Sequence, residues 1–268
     1  MRRMCRQLGH AIGYVGSLHL LAVVLLYFWS RAWHFLPCLW MSVVSIVVVV
    51  VISGGLLEVA RMRRRAWLDY YFREDGIVYR VFRGGVLMQA VAVALGTGLA
   101  VIVLSQAPLW TGWHWVVLIS GAFVLFPIQR HVEARFSCEV RPAHLEKVAR
   151  IFCLRAHVGL VLVGMMVVSM LSPQTDYSSA PLEAVLTQLG AAGTCELATF
   201  STRLFELKQE SIYWLLQNQI GGYGDSGLLA VVGWGLSFLI LAGPFSWGFT
   251  RLLVGLDYRG RGGDDRTE

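Results

Sequence analysis

The sequence predicts an all-α fold: a polytopic membrane helix bundle of about six transmembrane helices, with short amphipathic helices in the last extracytoplasmic loop. Three observations carry this. Of 268 residues, 56% are hydrophobic and only 15% are charged, against roughly 25% charged in a soluble domain. The apolar residues collect into runs long enough to cross a hydrocarbon core of about 30 Å. The basic residues collect between those runs, alternately present and absent, as the positive-inside rule requires of a threaded chain.

The first span is read at 8–30. Arg2, Arg3 and Arg6 precede it in the manner of a signal peptide. The run is long enough to span and no small-residue cleavage pattern follows, so it is expected to be a retained helix. The second span is 35–57. Its β-branched stretch from Ile46 to Ile52 is a poor helix former in water, but in lipid the backbone must satisfy its own hydrogen bonds and helix is forced. Spans three and four are 85–106 and 110–128. The fifth, 156–171, is short, with a start nearer Ile151 as the alternative, and Pro173 ends it. The sixth is 228–253, with a kink expected at Pro244. A polar insertion, 173–226, separates the last two and belongs to the same transmembrane domain, 1–256. The Gly-rich charged tail 257–268 reads as a disordered cytoplasmic segment.

Orientation follows from where the basic residues fall. Segments 1–7, 58–84, 129–155 and 249–268 hold three, seven, six and four of them, twenty of the 23, and the other face keeps only Arg31, Arg203 and Lys208. Both termini are therefore expected in the cytoplasm, with the protein in the cell inner (plasma) membrane. Trp29, Trp33, Trp40, Trp110, Trp113 and Trp115 all fall near the outer interface, where aromatic rings gather. The insertion has structure of its own. Leu182, Val185, Leu186 and Leu189 share one helical face, and a second helix is read from Thr194 to Asn218, on the membrane surface or re-entering it.

Several function classes lose support on chemistry. The net charge of +6 lies in orienting loops, so nucleic acid is not an expected partner. With these boundaries no Asp, Glu, Lys or Arg lies well inside a span, which disfavours a proton path or a paired-carboxylate protease. Five cysteines, an odd number without CxxC spacing, disfavour a disulfide framework or a zinc site. No helix carries two histidines spaced to ligate stacked hemes. Gly224-Asp225-Ser226-Gly227 resembles the nucleophile motif of trypsin-like proteases, and nothing else in the chain matches them. No catalytic residue, metal site or cofactor is expected.

Three features remain as candidate sites. Ile220-Gly221-Gly222-Tyr223-Gly224-Asp225 resembles the selectivity filter of potassium channels, TVGYGD, with Ile220 and Gly221 in place of its threonine and valine. The resemblance covers about 40 residues, with 211–218 as the pore helix. It implies that Gly221, Gly222, Tyr223, Gly224 and Asp225 line an ion pathway through backbone carbonyls. The alternative is a glycine-rich turn capped by Asp225 or Ser226. Second, Arg61, Arg63, Arg64 and Arg65, with Trp67, Tyr70 and Tyr71 beyond them, form a basic and aromatic stretch suited to lipid headgroups or a docking partner. Third, Ala90, Ala94 and Gly98 form a small-residue stripe for close helix packing, and Ala92, Gly96 and Ala100 form another beside it. The function expected from this inventory is a non-enzymatic scaffold or accessory subunit of a membrane assembly of the secretion or transfer type. Its partners would be the lipid bilayer and other membrane proteins or further copies of itself. The alternative is an ion channel or pore.

Overall fold

A computed structural model describes residues 18–71, 76, 85–140, 142–171, 176–177, 180–187, 193–220 and 227–261. The described residues contain no strand. The helices are α1 (Leu18–Ala32), α2 (Cys38–Tyr71), α3 (Val86–Gln106), α4 (Gly112–Phe136), α5 (Pro142–Leu171), α6 (Leu182–Thr187), α7 (Glu196–Leu215) and α8 (Gly227–Arg261). A 3₁₀ turn, Ala107–Leu109, follows α3, and a π turn, Leu216–Ile220, follows α7.

Among the described residues, five stretches are long and apolar enough to cross a membrane: Cys38–Arg61, Val86–Leu109, Gly112–Phe136, Val148–Ser169 and Gly235–Leu256. The described part of α1 is apolar but spans only about 22 Å at 1.5 Å per residue. The first half of the expected first span, 8–17, and the tail from 262 lie outside the described residues.

The chain punctuates these helices locally. Pro37 stands just before α2, where its missing N–H costs nothing. Gly85, at φ 58° and ψ 28°, caps the start of α3 in the left-handed region that a side chain disfavours. Valines 47–51 are helical throughout, as lipid demands.

Four boundaries differ by more than a turn from those read in the sequence. Helix α2 runs on from 57 to Tyr71, α4 from 128 to Phe136 and α8 from 253 to Arg261, and α5 begins at Pro142 rather than Ala156. The reason is that charged residues do not stop a helix. The apolar pattern marks where lipid ends, and the helices continue beyond it.

Helix α8 packs against α2, α3 and α5, and α4 packs against α5. Its span is the most enclosed of the five, with Phe245, Phe249, Thr250 and Leu253 fully buried. Small residues set the crossings. A Cβ on Gly55 would lie 2.7 Å from the Arg251 carbonyl oxygen, and one on Gly255 would collide with the carbonyl of Val51. Gly96 of α3 abuts Ser53 of α2 in the same way. Close backbone approach gains dispersion contacts, which matter most where lipid removes the hydrophobic drive between helices.

The packing stripe on α3 is Ala92, Gly96 and Ala100, all buried. Ala90, Ala94 and Gly98 are exposed, and Gly98 has open space beside it. The expected packing within the chain therefore belongs to the neighbouring stripe. The tryptophans also divide. Trp40 and Trp113 are exposed, whereas Trp29, Trp33 and Trp115 are buried, and the Trp29 indole donates to the Leu104 carbonyl at 2.9 Å.

Candidate functional site: the seam between the bundle and its cap

The end of the bundle carrying Cys38, Gln106 and Gly112 is covered by α6, α7 and the residues around them, here called the cap. Read along α7, its partners come from successive bundle helices. Cys195, at its start, is disulfide-bonded to Cys38 at the start of α2, with Cα atoms 5.0 Å apart. Thr194 donates to the Leu36 carbonyl at 2.5 Å. Ser201 meets Ser105 of α3 at 3.0 Å. Lys208 reaches α8, and Tyr213 reaches Ser169 at the end of α5. Helix α7 thus crosses the whole end of the bundle. The disulfide corrects the sequence reading, which disfavoured one. The two cysteines are 157 residues apart, and only the fold brings them together.

The Lys208 contact has a local cause. Pro244 has no N–H, so the carbonyl four residues earlier, on Ile240, loses its helical partner, and the ring weakens the next bond as well. The Lys208 Nζ donates to the Ile240 oxygen at 2.8 Å. The Gln106 amide donates to the Leu241 oxygen at 3.2 Å. Two side chains from outside α8 thus meet the carbonyl that the proline frees, on Ile240, and the next one, on Leu241. Burial also pushes the Lys208 ammonium below its ordinary value.

A second chain of hydrogen bonds joins α4, α5 and α7. Thr111, the residue before α4, turns its hydroxyl to His114 Nδ1 at 2.7 Å, and His114 Nε2 meets the Ser169 hydroxyl at 2.9 Å. Ser169 also bonds the Tyr213 phenol. Burial raises Tyr213 above the ordinary tyrosine value, the negative charge of Glu210 raises it further, and the Ser169 bond opposes both. Glu210 accepts from the Tyr177 hydroxyl at 2.5 Å. Asn218 and Trp214 donate to the carbonyls of Tyr177 and Ala180 at 2.9 and 2.8 Å. A serine touching a histidine suggests a nucleophile and its base. Here both are buried, the third member is a threonine, and none of the three cavities described in the bundle opens on Ser169.

Deeper in the bundle, His157 of α5 is fully buried. Its Nε2 lies 3.0 Å from the Gly121 carbonyl of α4, and its Nδ1 lies 2.9 Å from the Thr250 hydroxyl of α8. A carbonyl only accepts, so Nε2 carries a proton, while the Thr250 hydroxyl that meets Nδ1 also donates to the Ser246 carbonyl at 2.8 Å. One imidazole therefore ties three helices. Nearer the other end, Glu58 of α2 and Arg150 of α5 form a buried ion pair. Both fall inside stretches that span a membrane. This corrects the expectation of an interior without charge. The sequence boundaries put both residues in loops, and the longer helices bring them into the bundle.

The candidates read from the sequence are distributed differently. Gly221, Gly222, Tyr223, Gly224 and Asp225 lie outside the described residues. The stretch expected as a pore helix, 211–218, is the end of α7 and part of the π turn, braced against Tyr177 and Ala180. Arg61, Arg63, Arg64, Arg65, Trp67, Tyr70 and Tyr71 lie on the continuation of α2, where Arg61 and Tyr71 are exposed. Lys208, Gln106, Cys38, Cys195, Glu58, Arg150 and His157 were not singled out as sites by sequence reasoning. Pro244 was a usable signal for two of them, because every helix proline leaves a carbonyl seeking a donor.

These helices define a multi-pass integral membrane protein. Compared with known proteins, the chain matches no family model, no curated protein and no solved structure.

Proposed function

We propose that this protein is a non-enzymatic structural subunit, a scaffold or accessory component of a multi-protein assembly of the secretion or transfer type in the cell inner membrane. The observation that carries this reading is the cap. It is fastened to α2 by a disulfide and to α3, α5 and α8 by hydrogen bonds. It still leaves Leu197, Phe200, Leu204 and Leu207 of α7 exposed along one helical stripe. A rigidly held apolar surface suits a partner or the membrane face better than turnover does. The polar groups inside the bundle support the same view, since His157 and the Glu58–Arg150 pair join helices to one another.

Both termini lie in the cytoplasm in this reading, and the cap faces out. Support comes from the distribution of basic residues and from the disulfide, which persists in an oxidising compartment. The exposed thiol of Cys138 then lies on the reducing side.

The test is purification from native membranes in mild detergent, with the mass measured by light scattering. Co-purification of defined membrane proteins in fixed stoichiometry is expected. A lone 29.8 kDa chain contradicts the reading, and cation conduction by the pure protein in liposomes would replace it with the pore.

A further inference from the structure

A cavity of about 350 Å³ lies beneath the start of α7, between it, the end of α1, α2 and α3. That size falls in the range of small-molecule sites, roughly 300–1,000 Å³. Its frame is fixed, because Cys195 of the disulfide and the bonded pair Ser105 and Ser201 stand in the wall. Among the described residues that line it, none is charged. Six carry hydroxyls: Ser42, Ser45, Thr97, Ser105, Ser201 and Thr202.

The hydroxyls divide into two groups. Ser42, Thr97 and Ser201 donate to the carbonyls of Cys38, Val93 and Ala198, each at 2.9 Å, and Ser105 donates to Ser201. Bonding back to the helix's own carbonyls is the usual way for such a group to satisfy itself. Ser45 and Thr202 make no hydrogen bond among the described residues. The Trp33 indole N–H, in a side chain only 2% exposed, also has no acceptor. The Cζ3 corner of that ring stands against Gly193, and Nε1 lies on the far side of the ring. Three donors without acceptors thus belong to the wall of one uncharged cavity, and a buried donor left unpaired is costly.

Depth narrows the choice of ligand. Ser42 and Ser45 stand four and seven residues inside the span that begins at Cys38, and Thr97 twelve residues inside the one that ends at Leu109. At 1.5 Å per residue the cavity reaches from about 6 to about 18 Å below the cap-side end of the apolar stretches. A hydrocarbon core is about 30 Å thick, so the inner part lies near its middle. Ordinary phospholipid esters stay at the interface, above Ser45. The exposed side chains of Ile46 and Val101 form the edge through which the cavity meets lipid. A charged headgroup finds no counter-charge here, whereas an uncharged lipid enters with its carbonyl.

We infer that this cavity binds an uncharged, carbonyl-bearing lipid, with Ser45, Thr202 and Trp33 as the donors to its carbonyl oxygen. The shared chemistry is that of a diacylglycerol ester and of a prenyl quinone ring. The site is independent of the assembly role and needs only the membrane setting.

The experiment is native mass spectrometry of the full chain in neutral detergent with an equimolar lipid mixture. The mixture holds dioleoylglycerol and its dialkyl ether, a prenyl benzoquinone and carbonyl-free squalene, and dioleoylphosphatidylcholine. One-to-one retention of a carbonyl lipid is expected, about tenfold above its carbonyl-free counterpart, and the one retained identifies the source. Ser45→Ala with Thr202→Val removes two hydroxyls at nearly constant volume and is expected to weaken that retention about tenfold. Ser120→Ala, exposed on α4, is expected to leave it unchanged. Equal retention of the ether or of squalene, preference for phosphatidylcholine, or no retained lipid overturns the proposal. Retention that survives the double variant, or that Ser120→Ala lowers as much, places the lipid elsewhere and also overturns it. Should the double variant not fold, the ester-to-ether and quinone-to-squalene ratios of the wild-type chain decide: a ratio near one for both contradicts the proposal.

Discussion

The Lys208 ammonium donates to the carbonyl oxygen of Ile240 at 2.8 Å, and that carbonyl is the one Pro244 leaves without a backbone amide. The kink in α8 and the seating of α7 are therefore one feature. Replacing Lys208 by Met removes the donor to that carbonyl, at a cost of about 1 kcal/mol. Pro244→Ala restores the amide, so the same lysine substitution made in that background costs much less. A double-mutant cycle on denaturant unfolding measures this, and additive effects would show that the two residues are uncoupled.

Tyr213 gives the seam a signature at alkaline pH. Its folded value is raised by burial first and by Glu210 second. The unfolded phenol ionises near pH 10 while the folded one stays protonated. Stability is thus full below pH 10 and falls as pH rises toward the folded value. Lys208 runs the other way. Its lowered folded value makes stability rise between that value and the unfolded value near 10.4. Tyr213→Phe is expected to cost about 1 kcal/mol at pH 7 through the lost Ser169 bond and to flatten the fall above pH 10. An unchanged alkaline limb in the variant would mean the phenol is not what titrates.

The buried Glu58–Arg150 pair predicts an asymmetry. Arg150→Met removes one partner of a buried ion pair and costs about 3–5 kcal/mol. Adding Glu58→Leu recovers most of the loss, because replacing both charges by apolar groups removes the desolvation burden. Thermal unfolding of the single and double variants tests the order of stabilities: wild type close to the double, with the single well below.

The two faces of α3 separate by one methyl group. Gly96→Ala sets a Cβ into Ser53 and is expected to destabilise by about 1–3 kcal/mol through overpacking. Gly98→Ala meets open space and gains helix propensity, up to about 1 kcal/mol. Loss of stability from Gly98→Ala in the membrane, but not in monomeric detergent samples, would reveal a helix from another chain on that face.

The membrane class was legible because lipid imposes a single requirement, apolar length, that composition alone displays. Helix ends were not, since Glu58 and Arg150 look like loop residues until α2 and α5 are seen to continue past the lipid boundary. The choice between adjacent small stripes on α3 was equally hidden. Residues 90, 94 and 98 and residues 92, 96 and 100 have the same pattern, and only the position of Ser53 tells them apart. The cap's fastenings pair residues far apart in the chain, Cys38 with Cys195 and Lys208 with Ile240, and no local pattern encodes such pairings.

The central claim is that the cap is locked to the bundle on an oxidising face. Its most direct test is thiol mapping in intact membranes. Free thiols are alkylated without reduction, and the protein is then digested and analysed by mass spectrometry. A peptide pair linked through Cys38 and Cys195 is expected, with Cys138 alkylated. In a Cys5→Ser background, a membrane-impermeant reagent should reach Cys138 only in inside-out vesicles. Cys38 and Cys195 both alkylated without reduction, or Cys138 labelled from outside intact cells, would contradict it.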